Sequence, residues 1–138
     1  MFGRPWVWTD ETGAPVRFEA WRGTPIIVSM MFTDCTSACP MTIEKLRHAT
    51  EALARDKRAA TFVLVTLDPR NDTPEQLRRF KASRGLPPAW HLLRGDETDT
   101  RELADLLQIH LVENAHLFHE TRIVVFGADG RLVGQLRG

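Results

Sequence analysis

Two apolar runs dominate the chain: residues 25–32 (PIIVSMMF), interrupted only by Ser29, and residues 61–67 (TFVLVTL), rich in β-branched side chains. Runs of this kind predict strands covered on both faces rather than strands with one face in water. Between them Ile43, Leu46, Ala49 and Leu53 recur at three- and four-residue intervals, with Glu44, Lys45, Arg47 and Glu51 in the gaps. That spacing predicts an amphipathic helix over about residues 40–55, and Pro40 suits its first turn, where the missing N–H would have no partner. The second run ends at Asp68-Pro69. Thr73-Pro74-Glu75-Gln76 is a capping box with proline at the first helical position, Leu77 and Phe80 supply the apolar face, and Gly85 closes the helix.

Shorter signals flank this βαβα centre. Residues 6–9 and 16–19 read as two strands joined by the polar turn 10–14, an amino-terminal hairpin. Residues 90–93 form a short strand before Gly95-Asp96. Asp99, with Glu102 three residues on, is expected to cap a helix whose inner face is Leu103, Leu106, Leu107 and His110. Residues 121–126 and 132–136 flank Ala128-Asp129-Gly130 and predict a closing hairpin. Without repeats or low-complexity tracts, this order makes the chain a single α/β domain.

At 138 residues the chain is long enough to bury a core without covalent staples, so its two cysteines are not needed as a scaffold. Eighteen basic and eighteen acidic side chains balance, with no block of one sign, which argues against a nucleic acid or an anionic membrane as partner. The longest apolar run falls far short of the ~20 residues that cross a bilayer, and the amino-terminal MFGRPWVW lacks the layout of a signal peptide.

The candidate chemistry lies in the stretch FTDCTSACPMT, where residues 25–32 give way to the helix opening at Pro40. Backbone N–H groups and the helix dipole converge at such a junction and favour thiolates, so the pKa values of Cys35 and Cys39 are expected to be lowered. The spacing is one residue longer than a Cys-x-x-Cys redox motif, yet it lets both sulfurs turn to one point. Two soft thiolates suit Cu(I), Zn(II) or similar ions but leave a metal site incomplete, so a third donor must come from elsewhere. Thr, Asp and Ser neighbours set the pair apart from inert cysteines buried in apolar surroundings.

Five histidines are candidates for that donor. His48 falls on the polar face of the first helix, His110 on an apolar stripe, and His91 in or beside a short strand of unknown position. His116 and His119 immediately precede the strand 121–126. If that strand runs antiparallel to 25–32, it begins at the edge of the sheet that carries the cysteines; spacing alone prefers neither histidine. Asp34 and Asp68 belong to the same edge, where they would orient a ligand or tune its charge, or merely terminate strands and form turns.

These residues resemble the Sco/SenC family of thioredoxin-like copper chaperones, which help assemble the copper centre of cytochrome c oxidase. The resemblance rests on Cys35-Thr-Ser-Ala-Cys39-Pro40 after an apolar strand, on residues 66–75 (TLDPRNDTPE), on the W-x-x-L-x-G-D pattern from Trp90 to Asp96, and on the distance from His119 to Ala128-Asp129-Gly130. It implies a thioredoxin-like α/β domain over residues 1–138 with an amino-terminal hairpin and an inserted strand and helix, and metal ligands at Cys35, Cys39 and His119. It also implies copper, as Cu(I) or Cu(II), a cytochrome c oxidase copper-site subunit or another copper chaperone as partner, and a monomer on the periplasmic face of the inner membrane.

The family's membrane anchor and carboxy-terminal helix are expected to lie outside this sequence. Phe118 and Glu120 depart from the acidic and small hydroxyl residues that usually flank the ligand histidine. A thiol-disulfide oxidoreductase working through Cys35 and Cys39 is the alternative from another class. A peroxide-reducing enzyme lacks a supporting motif.

Overall fold

The computed structural model describes residues 6–31, 38–56, 59–107, 111–114, 116–119 and 122–137, with backbone course alone for 38–42, 54, 111–114, 116–119, 122 and 135–137. The two apolar runs become β3 (Ile26–Met31) and β4 (Thr61–Thr66), parallel neighbours whose register pairs Ile26 with Thr61 and Met31 with Thr66. All six residues of β3 are buried, as expected of a strand covered on both faces. β5 (His91–Arg94) lies parallel on the other side of β4. On the outer side of β5, β1 (Trp8–Asp10) pairs antiparallel and holds β2 (Pro15–Val16) at the sheet edge. On the far side of β3, β8 (Arg122–Phe126) pairs antiparallel and β9 (Leu132–Arg137) closes the hairpin, giving the order β2-β1-β5-β4-β3-β8-β9.

Both parallel crossovers step the same way across the sheet, which puts their helices on one face. Helix α1 (Ala38–Arg55) and helix α2 (Pro74–Ser83) bury Ile43, Leu46, Leu77 and Phe80 against Ile27, Met31, Phe62, Leu64 and Leu92. Thr73 caps α2 as its sequence predicts, its hydroxyl accepting from the Gln76 N–H at 3.2 Å. Gly85, at φ 59°, ends it with a Schellman turn in which Leu86 N–H donates to the Lys81 carbonyl at 3.0 Å.

On the opposite face α3 (Glu97–Leu106) packs Leu103 and Ala104, with Leu107 just beyond, against Val28, Met30, Val63, Val65 and Leu93. Its cap is Asp96, not Asp99: the Asp96 carboxylate accepts from Asp99 N–H at 2.7 Å. β5 ends at Arg94, so the helix starts one turn earlier than the Asp99 signal suggested.

The amino-terminal hairpin is shorter than expected. β2 stops at Val16, and Phe18–Trp21 coils into a 3-10 turn instead of continuing the strand. The turn drives Phe18 into the α3-side core, edge-on to Trp6 with centroids 6.3 Å apart and tilted against Trp8 at 5.7 Å. A further hairpin absent from the sequence reading, β6 (Leu111–Asn114) with β7 (His116–His119), forms its own two-stranded sheet just before β8. His110 lies outside the described residues.

Candidate functional site

The carboxyl ends of the parallel strands define one edge of the sheet, and the chain that leaves β3 there leads on to the cysteine motif. β3 ends at Met31 and α1 begins at Ala38, so Cys39 is the second residue of that helix. Cys35 and Asp34 lie outside the described residues. The antiparallel register pairs Ser29 with Ile123, so β8 begins beside the carboxyl half of β3, the orientation on which the choice of His116 and His119 depended.

Within β7, His119 is the end nearer β8, opposite Leu111, whereas His116 sits at the hairpin turn opposite Asn114. Arg122 is three positions on from His119, a span of at most about 11 Å of chain. His48 and His91 stand elsewhere. His48 is exposed on α1. His91 enters the sheet at the opposite end of β5 and packs tilted against Trp21, centroids 4.7 Å apart.

Next to the end of β3 runs a tightly bonded turn. Leu67 N–H donates to the Met31 carbonyl at 2.7 Å, so the exit of β4 is tied to the exit of β3. The buried Thr66 hydroxyl donates to Asp72 Oδ2 at 2.6 Å and accepts from Asp68 N–H at 3.0 Å. Asp72, only 3% exposed, is thus a buried carboxylate engaged at the strand end. The Asp68 carbonyl accepts from Asp72 N–H at 2.9 Å, and its carboxylate accepts from Asn71 Nδ2 at 2.8 Å. Asp68 therefore shapes the turn, and its half-buried carboxylate stands at the edge where the sequence expected it.

Two arginines bind this turn from outside. Arg94, at the end of β5, donates from Nη2 and Nε to the Pro69 carbonyl at 2.6 and 3.2 Å. Arg70 pairs with Glu97 in the first turn of α3. Neither Arg94 nor the Thr66–Asp72 pair was singled out from sequence; the repeat of aspartate at 68 and 72 was the available signal, since a short acidic side chain at a strand exit commonly bonds the backbone of its own turn.

Among the described residues no three His, Cys, Asp or Glu side chains gather as a metal cluster. Nor is any helix among them long and apolar enough to cross a membrane.

The family model SCO1/SenC matches residues 1–138. A SCO2-like protein of Rickettsia prowazekii is 27% identical over 107 residues, covering 78% of this chain and 51% of the relative, so the chain spans about half that relative's length. Among solved structures, Bradyrhizobium japonicum ScoI with copper bound superposes with a TM-score of 0.82 at 21% identity, covering 99% of this chain and 90% of that one. BsSco, a Sco-family cytochrome c oxidase assembly protein with an identified disulfide switch, superposes at 0.83 with 21% identity, covering 97% and 81%. The mixed sheet with two helices on one face and one on the other is accordingly the thioredoxin-like fold of these proteins. With the model matched from end to end, the chain belongs to the SCO1/SenC family.

Proposed function

We propose that this protein is a metallochaperone that binds one copper ion through the Cys35 and Cys39 thiolates and the His119 imidazole, and passes it to the copper site of a cytochrome c oxidase subunit or to another copper chaperone. The observation that carries this reading is the antiparallel β3–β8 pairing, which starts β8, three positions after His119, beside the carboxyl half of β3, the strand that leads on to the cysteines. Two thiolates and one neutral imidazole form a soft three-donor set that suits Cu(I) and accommodates Cu(II) when sulfur donation is strong. The copper-bound state of the B. japonicum neighbour supports the choice of metal.

Copper is cargo here, and transfer needs no chemistry on a substrate: a partner's thiols displace the ligands one at a time. Cys39 is the second residue of α1, where the positive end of a helix dipole would favour a thiolate. Asp68, at the same edge, would orient a ligand or tune the charge around it. Residues 1–138 act as one domain and a monomer, on the periplasmic face and tethered to the inner membrane in the full-length protein; the description of a Bacillus anthracis family member as a lipoprotein supports a tether.

The test is a copper titration of the reduced protein followed by absorption and by mass. One equivalent is expected, abolished by alkylating the cysteines, with a sulfur-to-copper band that His119→Ala removes while weakening binding at least about tenfold. Undiminished copper binding in that variant would refute the three-donor site.

The disulfide switch identified in BsSco favours one second reading, a thiol-disulfide oxidoreductase. Cys35 and Cys39 would close to a disulfide while a partner's disulfide opens to two thiols, two electrons and two protons passing to the partner. His119→Ala leaves that exchange intact, so the same variant separates the two activities.

A further inference from the structure

The amino-terminal hairpin is fastened to β5 through the strand pairs Thr9–Arg94 and Asp10–Leu93. The same register would next pair Glu11 with Leu92, but the chain turns away there, its Asp10 carboxylate accepting from Thr12 N–H at 2.9 Å, the Thr12 hydroxyl at 2.6 Å and Ala14 N–H at 3.0 Å. The Glu11 side chain takes up the next rung of the ladder. Its Oε2 accepts from Leu92 N–H at 3.5 Å while Oε1 accepts from Lys81 Nζ at 2.7 Å, so one buried carboxylate ties the hairpin to both β5 and α2. The Leu92 bond is the weak half of that tie, since it is longer than an ordinary N–H···O bond.

His91 precedes Leu92, and its half-buried ring packs against Trp21 of the 3-10 turn. The charged groups facing it are Glu11 and Asp10 from the hairpin and Lys81 from α2. Glu19 of the 3-10 turn is engaged by Arg17 at 2.8 Å, and Val63, its neighbour on β4, carries no charge. Burial holds the imidazole below its ordinary pKa against the pull of Glu11.

We propose that His91 is the trigger of an acid-released latch: once protonated, it draws the Glu11 carboxylate away from Leu92 N–H and frees the end of the hairpin from β5. This device stands apart from the copper reading. An imidazolium packed against Trp21 has lost hydration and needs an anion, and the Asp10 carboxylate is already spent on its own turn. Lys81 keeps the carbonyls of Trp90 at 2.7 Å and Pro88 at 3.0 Å, so its ammonium retains partners when Glu11 shifts. Trp8 and Phe18 stay anchored in the core, which confines the opening to Glu11 and the turn after it.

Amide exchange of the intact chain tests this, corrected for the intrinsic pH dependence of exchange. Between about pH 7.5 and about pH 5 the protection of Leu92 N–H is expected to fall about tenfold in the wild type. That exchange should be insensitive to low urea, as a local opening is, whereas the amides of β3 respond to it. His91→Phe, which keeps a ring for Trp21 but cannot titrate, should show one protection at both ends of the range; if it does not fold, His91→Asn serves. Glu11→Gln, which offers His91 no anion, should likewise lose the pH response. A response that persists in these variants, none in the wild type, or Leu92 exchange as sensitive to urea as that of β3 would overturn the latch.

Discussion

Gly95 closes β5 against the indole of Trp8, and a methyl group in place of its hydrogen would lie 2.5 Å from Cζ3 and 2.6 Å from Cε3 of that ring. Trp8 cannot withdraw easily: it is fully buried and packed between Trp6 and Phe18. Gly95→Ala is therefore expected to destabilise the fold by about 1–3 kcal/mol through overpacking. The measurement is a urea unfolding curve with a lower midpoint and an unchanged slope; an unchanged midpoint would show that the ring has room to move. The sequence places Gly95-Asp96 after a short strand and gives no sign of the contact with Trp8, because that contact joins residues far apart in the chain. Asp96 and Asp99 show a similar limit: each has an acidic residue three positions on, so both carry a local cap signature, and only the end of β5 decides between them.

At the scale of elements, legibility followed the length and strength of the periodic signal. β3, β4, α1 and α2 were readable because their apolar patterns extend over six or more residues, long enough to separate a strand period from a helix period. The 3-10 turn at Phe18–Trp21 and the β6–β7 hairpin were not, since four residues carry no such contrast and tertiary packing decides.

Packing between elements was equally hidden. Lys81 on α2 donates to Glu11 Oε1 at 2.7 Å and to the carbonyls of Trp90 at 2.7 Å and Pro88 at 3.0 Å, joining the β1–β2 turn, the helix and the approach to β5. With side chains only 16% and 9% exposed, this Lys81–Glu11 pair belongs to the interior more than to the surface. Removing one partner strands the other charge, so Lys81→Met is expected to cost about 3 kcal/mol, and adding Glu11→Gln should restore part of it. Equal stability of Lys81→Met and wild type in denaturant titration would mean that water replaces the ammonium at no cost.

Over the whole molecule the chemistry is divided between the two ends of the sheet. The carboxyl edge carries the Asp68 turn and the end of β3, from which the chain leads on to the cysteine motif; the spacing of that motif suggested a shared point, and the choice of histidine was implied only by family resemblance. The end of β5 nearer its start carries a second titratable group unrelated to that motif. His91 is half-buried against Trp21 of the 3-10 turn and faces Glu11 and Asp10 from the amino-terminal hairpin and Lys81 from α2.

Burial, with the Lys81 charge, pushes the His91 imidazole below its ordinary value, and this prevails over the opposing pull of Glu11 and Asp10. A base whose pKa is lowered by folding binds fewer protons in the native state than in the unfolded chain. Its contribution to stability is then complete above the unfolded value of about 6.5 and is lost as pH falls toward the native value. His91→Phe keeps an aromatic ring for Trp21 but cannot titrate. Chemical denaturation from about pH 7.5 down to about 5 should show the wild type losing stability more steeply than His91→Phe below about pH 6.5, with the two slopes converging above it. Parallel slopes across the whole range would mean that His91 titrates alike in the folded and unfolded chains, and that the hairpin's carboxylates offset its burial in full.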